Sequence, residues 1–250
     1  MLADPVFLAA CIFSVILLGL AKGGFAGLGM AATPLLALIV PPLQAAALLL
    51  PILLVQDVIS VWAYRRDWDA WNLKVLMPGA LIGIGVAWVL AAYLSDAWVR
   101  LIVGLIGLAF VLNAWFGPRP TEDRQPSAAK GVLWGSLSGV TSVLVQAGSP
   151  PFQIFVLPQK LPKLVFVGTN AVFFAAINVV KLAPYYSLGG FSSRTLEASL
   201  LLLPLAVAAN FLGLWLVRIT PQEVFYRISY FLMFCISLAL TAEALRTLLR

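Results

Sequence analysis

The sequence predicts an all-α polytopic membrane protein built from two inverted-topology repeats, and three observations favour it. Of 250 residues, 62% are hydrophobic and 10% are charged, whereas soluble domains average about 45–50% apolar and about 25% charged. Apolar segments recur along the whole chain with short polar breaks. Their lengths follow the same order twice: medium, very short, long, long, long. We therefore expect one membrane transport domain, residues 1–250, with about eight full transmembrane helices and two half-helices.

Each repeat is predicted to contain five apolar segments. In the first repeat, residues 1–117, they lie at about 6–21, 34–40, 43–64, 74–94 and 97–116. In the second repeat, residues 130–250, they lie at about 131–145, 150–157, 163–186, 196–217 and 222–245. Polar residues 118–129 form the one linker, which we expect to be cytoplasmic.

The first segment ends in a glycine-rich stretch, GLAKGGFAGLGMAATP, residues 19–34. No Lys or Arg precedes this segment and no small-residue cleavage pattern follows it, so we expect it to be retained and not removed as a signal peptide. Gly19 and Gly23 have the four-residue spacing that lets helices pack closely. We interpret Gly27 and Gly29 as parts of a turn whose backbone approaches a ligand. Whether the first segment spans fully or forms a re-entrant hairpin with the half-helix stays open.

The second segment of each half is too short to cross a bilayer. Seven or eight helical residues cover only about 11 Å of a hydrocarbon core about 30 Å thick. Thr33 before Pro34, and Ser149 before Pro150, are typical of an N-cap followed by proline at the first helical position. Inversion would point the two N-termini at one another near the midplane, where their unpaired N–H groups favour an anion.

Opposite charge bias in equivalent loops predicts the inversion. The loop after the third segment holds Arg65, Arg66 and Lys74 in the first half, whereas its counterpart holds only Arg194. The loops after the second and fourth segments reverse their bias as well. The positive-inside rule then places both termini outside the cytoplasmic (inner) membrane, although arginines at the C-terminal end conflict with that orientation.

Polar side chains inside apolar segments are candidates for substrate contact or for interhelical hydrogen bonds. Asn170, Asn178 and Lys181 share one helix face with Phe174. The candidate substrate-binding residues are Gly27, Gly29, Thr33, Gln56, Gln146, Ser149, Gln153, Thr169, Asn170 and Asn178.

Three charged residues are candidates for charge or proton coupling: Lys22, Asp57 and Lys181. An ionised carboxylate in apolar surroundings is costly, so Asp57 is either a proton-coupling site or part of an ion pair with Lys22, Arg65 or Arg66. Lys22 either draws an anion toward the half-helix or anchors the segment among lipid headgroups. Lys181 either faces the substrate or extends to the membrane interface.

Several function classes are disfavoured by composition. The chain has no histidine, which excludes Ser/His and Cys/His catalysis and HExxH zinc sites. Cys11 and Cys235 fall in apolar runs, so we expect no disulfide, no metal and no cofactor. No nucleotide-binding P-loop occurs, and an intramembrane enzyme would need paired aspartates or a nucleophile with a base. We interpret the net charge of +6 as membrane topology and lipid contact, and we expect no nucleic-acid partner.

The glycine-rich first segment, the TPLLALIVPP run at 33–42, the YRR loop at 64–66 and the two copies of the unit together resemble the TauE/SafE family of anion transporters. This family is also called the sulfite exporter or toluene sulfonate uptake permease family, and the resemblance covers nearly the whole chain. Two features depart from the family pattern. Residues 139–152 have largely lost the second glycine cluster, and residues 45–54 lack a Thr-Ser pair.

The resemblance implies a secondary transporter, not an enzyme, that moves a small sulfur-containing anion such as sulfite or an organosulfonate, often as export. We expect alternating access between the inverted repeats. The alternatives are an anion channel with the same site, a transporter of another anion such as a carboxylate, and a non-transporting scaffold. The coupling ion, proton or sodium, and the oligomeric state stay open.

Overall fold

The computed structural model describes residues 4–25, 28–37, 39–40, 42–90, 95–117, 126–144, 146, 148–187 and 189–249. It is 87% helix, and no strand occurs in these ranges. The helices are α1 Pro5–Gly23, α2 Ala32–Ala37, α3 Pro42–Ala63, α4 Ala70–Leu90, α5 Asp96–Phe116, α6 Ala128–Leu144, α7 Ser149–Val156, α8 Lys163–Val180, α9 Leu182–Ser187, α10 Ser193–Ile219 and α11 Gln222–Leu248. Short 3₁₀ turns at Leu28–Ala31 and Leu157–Gln159 precede α2 and follow α7.

Six helical stretches in the described part are long and apolar enough to cross a membrane. They are Pro5–Gly23, Gln44–Ala63, Ala70–Val89, Lys163–Ser187, Ser193–Ile219 and Gln222–Leu248. The prediction of an all-helical, multi-pass membrane protein is confirmed. The count of eight full spans and the inverted repeats stay predictions.

The chain divides into two compact units. The first unit comprises residues 1–68 and 163–225, and the second comprises 69–162 and 226–250. Each unit draws helices from both predicted repeats, so this division does not follow the repeat boundary. The repeat limits and the linker stay predictions, and residues 118–125 of that linker lie outside the described residues.

In the first unit, α1 packs closely against α10. Asp4 caps α1 by accepting a hydrogen bond from the amide of Val6 at 2.9 Å. A Cβ added to Gly23 would fall on the backbone of Gly213, and one added to Gly19 would fall on Ala209. The predicted packing role of Gly19 and Gly23 is therefore confirmed.

The same unit places α3 beside α8 in antiparallel orientation. Asp57 meets Asn178 at one level, and the backbone oxygen of Asp67 occupies the place where a Cβ on Gly168 would lie. An increasing residue number along α3 thus corresponds to a decreasing number along α8. This arrangement brings the polar residues of the two third segments together.

In the second unit, α4 packs against α6 at backbone distance. A Cβ added to Gly135 would fall on the carbonyl oxygen of Leu76, and one added to Gly139 on that of Ala80. Only glycine permits such an approach of two helix backbones. The sequence analysis did not predict this contact.

The short helices begin before the predicted positions, α2 by two residues and α7 by one. α2 starts at Ala32, directly after a 3₁₀ turn, and α7 starts at Ser149 with Gly148 as its N-cap. The N-cap assignments of Thr33 and Ser149 are therefore wrong. The Ser149 hydroxyl accepts a hydrogen bond from the Gln153 amide at 2.7 Å, and no side-chain cap hydrogen bond occurs at the start of α7.

Candidate functional site

Three charged side chains are buried in the first unit. Lys22, Asp57 and Lys181 expose 8%, 3% and 1% of their surface. Lys22 lies in the last turn of α1, Asp57 within α3, and Lys181 between α8 and α9. Burying a charged group costs desolvation free energy unless opposite charges or hydrogen bonds compensate it. Their arrangement therefore defines the candidate site.

Asp57 is held by two partners. Its Oδ1 forms an ion pair with the Lys22 ammonium group, and its Oδ2 accepts a hydrogen bond from the Asn178 amide at 2.7 Å. The Lys22 nitrogen also lies 5.8 Å from the ring centroid of Phe174, within cation–π range. Lys22, Arg65 and Arg66 were the predicted ion-pair partners of Asp57, and the structure pairs it with Lys22. The anchoring interpretation of Lys22 is wrong, because its side chain is buried.

Lys181 lies at a break between two helices. Pro184 has no amide hydrogen and cannot donate to the carbonyl of Val180, so α8 ends there and α9 begins at Leu182. Lys181 interacts electrostatically with both Lys22 and Asp57. Its burial contradicts the interpretation that it extends to the membrane interface. With all three groups ionised, the cluster carries one excess positive charge.

Hydrogen bonds between α3 and α10 support this cluster. The Gln56 amide donates to the carbonyl of Ala206 at 3.1 Å, and the Asn210 amide donates to the carbonyl of Gln56 at 2.9 Å. The Ser60 hydroxyl lies 3.3 Å from Asn210 Oδ1 and 2.9 Å from the carbonyl of Lys22. The sequence analysis missed Asn210. A single asparagine within the apolar segment 196–217 was the signal that could have found it.

Tyr64 fixes the C-terminal end of α1. Its hydroxyl donates to the carbonyl of Gly23 at 2.7 Å, one of the carbonyls that a helix end leaves without an intrahelical donor. Burial raises the pKa of Tyr64, so the hydroxyl keeps its proton and remains a donor. The backbone that carries Lys22 is thereby tied to the end of α3.

Two buried amide oxygens have no hydrogen-bond partner among the described residues: Gln56 Oε1 and Asn170 Oδ1. An unsatisfied buried polar atom costs about 1–3 kcal/mol, so each suits a ligand, a water molecule or a cation. If the Asn170 side-chain amide were rotated by about 180°, its NH₂ group would take the place of the oxygen and act as a donor. Thr169 differs, because its hydroxyl donates to the carbonyl of Val165 at 2.7 Å.

The remaining candidates of the first unit lie around the short helix α2. Thr33 is buried in the first turn of α2. Gly29 lies in the preceding 3₁₀ turn, where an added Cβ would stand 3.0 Å from the Cβ of Ala21. Gly29 thus packs against α1. Gly27 lies outside the described residues.

In the second unit, the candidates gather at the start of α7. Ser149 and Gln153 bond to one another within that helix, and the Ser138 hydroxyl of α6 donates to the carbonyl of Gly148 at 2.7 Å. Gln146 has a φ of 54°, a left-handed conformation that few non-glycine residues adopt. Such outliers concentrate at functional sites.

Comparison with known proteins gives one match. The family model described as "Sulfite exporter TauE/SafE" matches residues 11–240. No curated protein and no solved structure matches the chain. The matched range contains the buried charge cluster and both short helices.

Proposed function

The chain belongs to the TauE/SafE sulfite exporter family, and on that premise we propose that it exports a small sulfur-containing anion, sulfite or an organosulfonate, across the inner membrane. Family membership makes it a multi-pass membrane protein of a transporter family. The direction of transport, the coupling ion and the orientation of the termini belong to the proposal.

The observation that carries this proposal is the buried set of Lys22, Lys181 and Asp57. Two lysines and one aspartate in an apolar unit favour a further anion at this place, because the lysines outnumber the aspartate. Two unit charges 4 Å apart attract by about 4 kcal/mol at an effective dielectric constant of about 20. An anion that replaces its hydration with these lysines and the Asn178 amide gains a comparable interaction.

We propose that Asp57 and the transported anion compete for Lys22. In the structure, the Lys22 ammonium group is already paired with the Asp57 carboxylate. Protonation of Asp57 would release Lys22, so that Lys22 and Lys181 together face the anion. Loss of that proton would restore the ion pair and expel the anion. One proton would then accompany each anion, so export would occur where the outward anion gradient exceeds the inward proton gradient.

Alternating access between inverted repeats requires two parts of the protein that can move against each other, and it requires that the two repeats have the same arrangement of helices. For the first requirement, the chain has two compact units, each of which combines helices of both predicted repeats. The second is supported by two helix pairs. In the predicted repeats α1 corresponds to α6 and α10 to α4, and both α1 with α10 and α6 with α4 pack through glycines. The meeting of the two short-helix N-termini stays a prediction.

Transport by reconstituted protein tests the proposal. We expect saturable sulfite flux into liposomes that accelerates with an inward-directed proton gradient. Lys22→Gln should abolish it, whereas Lys130→Gln, which removes an exposed charge at the start of α6, should not. Normal flux in Lys22→Gln would reject the buried cluster as the site. Flux that never saturates would indicate a channel instead of a carrier.

Two further measurements define the substrate and the coupling ion. Thermal-shift titration should show stabilisation by sulfite, thiosulfate or an organosulfonate, and stabilisation by carboxylates alone would reject a sulfur substrate. Asp57→Asn should remove the response to a proton gradient. A response to sodium that persists in Asp57→Asn would assign coupling to sodium.

A further inference from the structure

A second concentration of charge lies in the first unit, where α3 and α10 end. A cavity of about 250 Å³ is lined by Trp62, Ala63, Arg65, Arg66, Asp67 and Arg218. We propose that this arginine pocket binds a tetrahedral oxyanion group, a phosphate or a sulfonate. The group would come either from a lipid headgroup or from solution.

The packing of α3 against α10 brings these charges together. Arg218 lies in the last turn of α10, and Arg65 and Arg66 follow the end of α3. The hydrogen bonds that join Gln56 to Ala206 and Asn210 hold the two helices side by side. Arginines about 150 positions apart in the sequence therefore line one cavity.

Helix termini alone do not account for these arginines. The C-terminal end of a helix carries about half a negative charge, which a nearby cation offsets. At α10, the Lys163 ammonium group donates to carbonyls of the last turn at 2.8 and 3.1 Å. At α3, the Arg65 guanidinium donates to the carbonyl of Trp62 at 2.8 Å. Both ends already have their cation.

Arg66 and Arg218 are therefore not needed to offset the negative ends of α3 and α10. Within the described part of the chain, neither guanidinium group makes a hydrogen bond or an ion pair, and Asp67 is the one acidic residue among the lining residues. Three arginines against one aspartate give the lining a net charge of +2. Clustered like charges repel one another, so a bound anion would stabilise the arrangement.

The geometry of the lining suits an oxyanion. The guanidinium group is a planar fork that binds two oxygens of a phosphate or carboxylate at once. The Arg65 guanidinium group lies over the Trp62 ring, and its Cζ is 4.9 Å from the ring centroid. This cation–π contact restricts the motion of the Arg65 side chain. One water molecule takes about 30 Å³ of liquid, so the cavity has room for an oxyanion with part of its hydration shell. Because the arginines are exposed, added salt should weaken binding.

Two arms of one experiment distinguish the sources. In the first, purified protein in an uncharged detergent is titrated with inorganic phosphate and sulfate by calorimetry. In the second, protein in phosphatidylcholine nanodiscs with or without phosphatidylglycerol is examined by native mass spectrometry for retained lipid. We expect Arg218→Gln and Arg66→Gln each to lower the affinity at least tenfold in the arm that shows binding. Binding in the second arm alone identifies a lipid headgroup.

Arg194→Gln is the matched control. Arg194 lies at the opposite end of α10 and is exposed, so its replacement removes the same charge from the same helix without touching the pocket. Equal loss in Arg194→Gln, or no loss in either pocket variant, would overturn the proposal. Arg66 lies beyond the end of α3, so Arg66→Gln should leave the helices intact. It therefore tests the pocket even if Arg218→Gln fails to fold. Sulfite binding at Lys22, measured in parallel with phosphate present, should be unchanged by Arg66→Gln.

Discussion

The two compact units pack their closest helices alike and differ in what they bury beside that contact. Gly23 of α1 meets the backbone of Gly213, and Gly135 of α6 meets the backbone of Leu76. Beside the first contact lies the charged side chain of Lys22. Beside the second lies Ser136, whose hydroxyl donates to the carbonyl of Val132 four residues earlier at 2.9 Å. Close glycine contacts are thus a general means of packing, and the buried charge is what distinguishes the first unit.

The ion pairs of the two units differ in the same way. The side chains of Lys22 and Asp57 are 9% and 4% exposed, whereas those of Arg100 and Glu243 in the second unit are 14% and 39% exposed. Water screens the second pair from the side of Glu243. Breaking a buried pair strands a charge, whereas breaking an exposed one lets water replace the partner. The same chemical contact therefore has a different energetic meaning in each unit.

The largest effect is expected from Asp57→Ala. This change leaves Lys22 buried without its partner, which should lower the free energy of unfolding by about 3–5 kcal/mol. Chemical unfolding in detergent, followed by circular dichroism, measures it. The double variant Lys22→Met with Asp57→Leu should recover part of that stability, because Lys22 is no longer a stranded charge while Lys181 still lacks Asp57, but it should not transport. Transport by the double variant would show that the pair is structural only.

Glycine substitutions should have the next largest effect and should separate packing from function. Gly23→Ala and Gly135→Ala each force two helix backbones apart, which should cost about 1–3 kcal/mol of unfolding free energy. Only Gly23→Ala should also weaken sulfite binding, because Lys22 is its neighbour. Gly85→Ala is the control, because nothing lies within 4 Å of an added Cβ, and it should stabilise α4 by up to about 1 kcal/mol. An equal loss of affinity in Gly135→Ala would remove the distinction between the units.

Buried asparagines offer a third, smaller contrast. Asn210→Leu removes the bond to the carbonyl of Gln56, and Asn72→Leu in the second unit removes a pair of bonds to the Gln159 amide, both of 2.9 Å. Interhelical hydrogen bonds in membrane proteins contribute about 0.6 kcal/mol on average, so each variant should lose about 1 kcal/mol. We expect Asn210→Leu alone to change transport, since it shifts the α3 segment that carries Asp57. Liposome flux compared at equal amounts of folded protein tests this.

Much of the fold was accessible from the sequence because it depends on local properties. The predicted segments 43–64 and 150–157 differ by one residue at each end from α3, Pro42–Ala63, and α7, Ser149–Val156. Apolar length and proline position determine such elements without reference to the rest of the chain. The N-cap assignments were wrong, by two residues at α2 and by one at α7, because a cap depends on the backbone conformation just before the helix.

The partner of Asp57 could be narrowed from the sequence but not identified. Arg65 lies eight residues after Asp57, just past the end of α3, and eight residues at 1.5 Å each span about 12 Å, outside ion-pair distance. Lys22 lies on a different helix, and only the packing of α1 against α3 brings it to Asp57. The same holds for Asn210, whose partners Gln56 and Ser60 lie about 150 positions away. Sequence spacing predicts contacts within a helix, whereas this site is made of contacts between helices.

The smallest effect is expected from the second unit's own ion pair. Arg100→Met and Glu243→Gln should each change the free energy of unfolding by less than about 1 kcal/mol, because Glu243 is partly exposed and its attraction to Arg100 is screened. A double-mutant cycle in low and high salt measures the coupling, which should shrink as salt is added. One feature works against a null result: the Arg100 Nε is buried with no hydrogen-bond partner among the described residues. If the cycle gave a coupling as large as that of Lys22 with Asp57, burial would not be what separates the two units, and the assignment of function to the first would lose its physical basis.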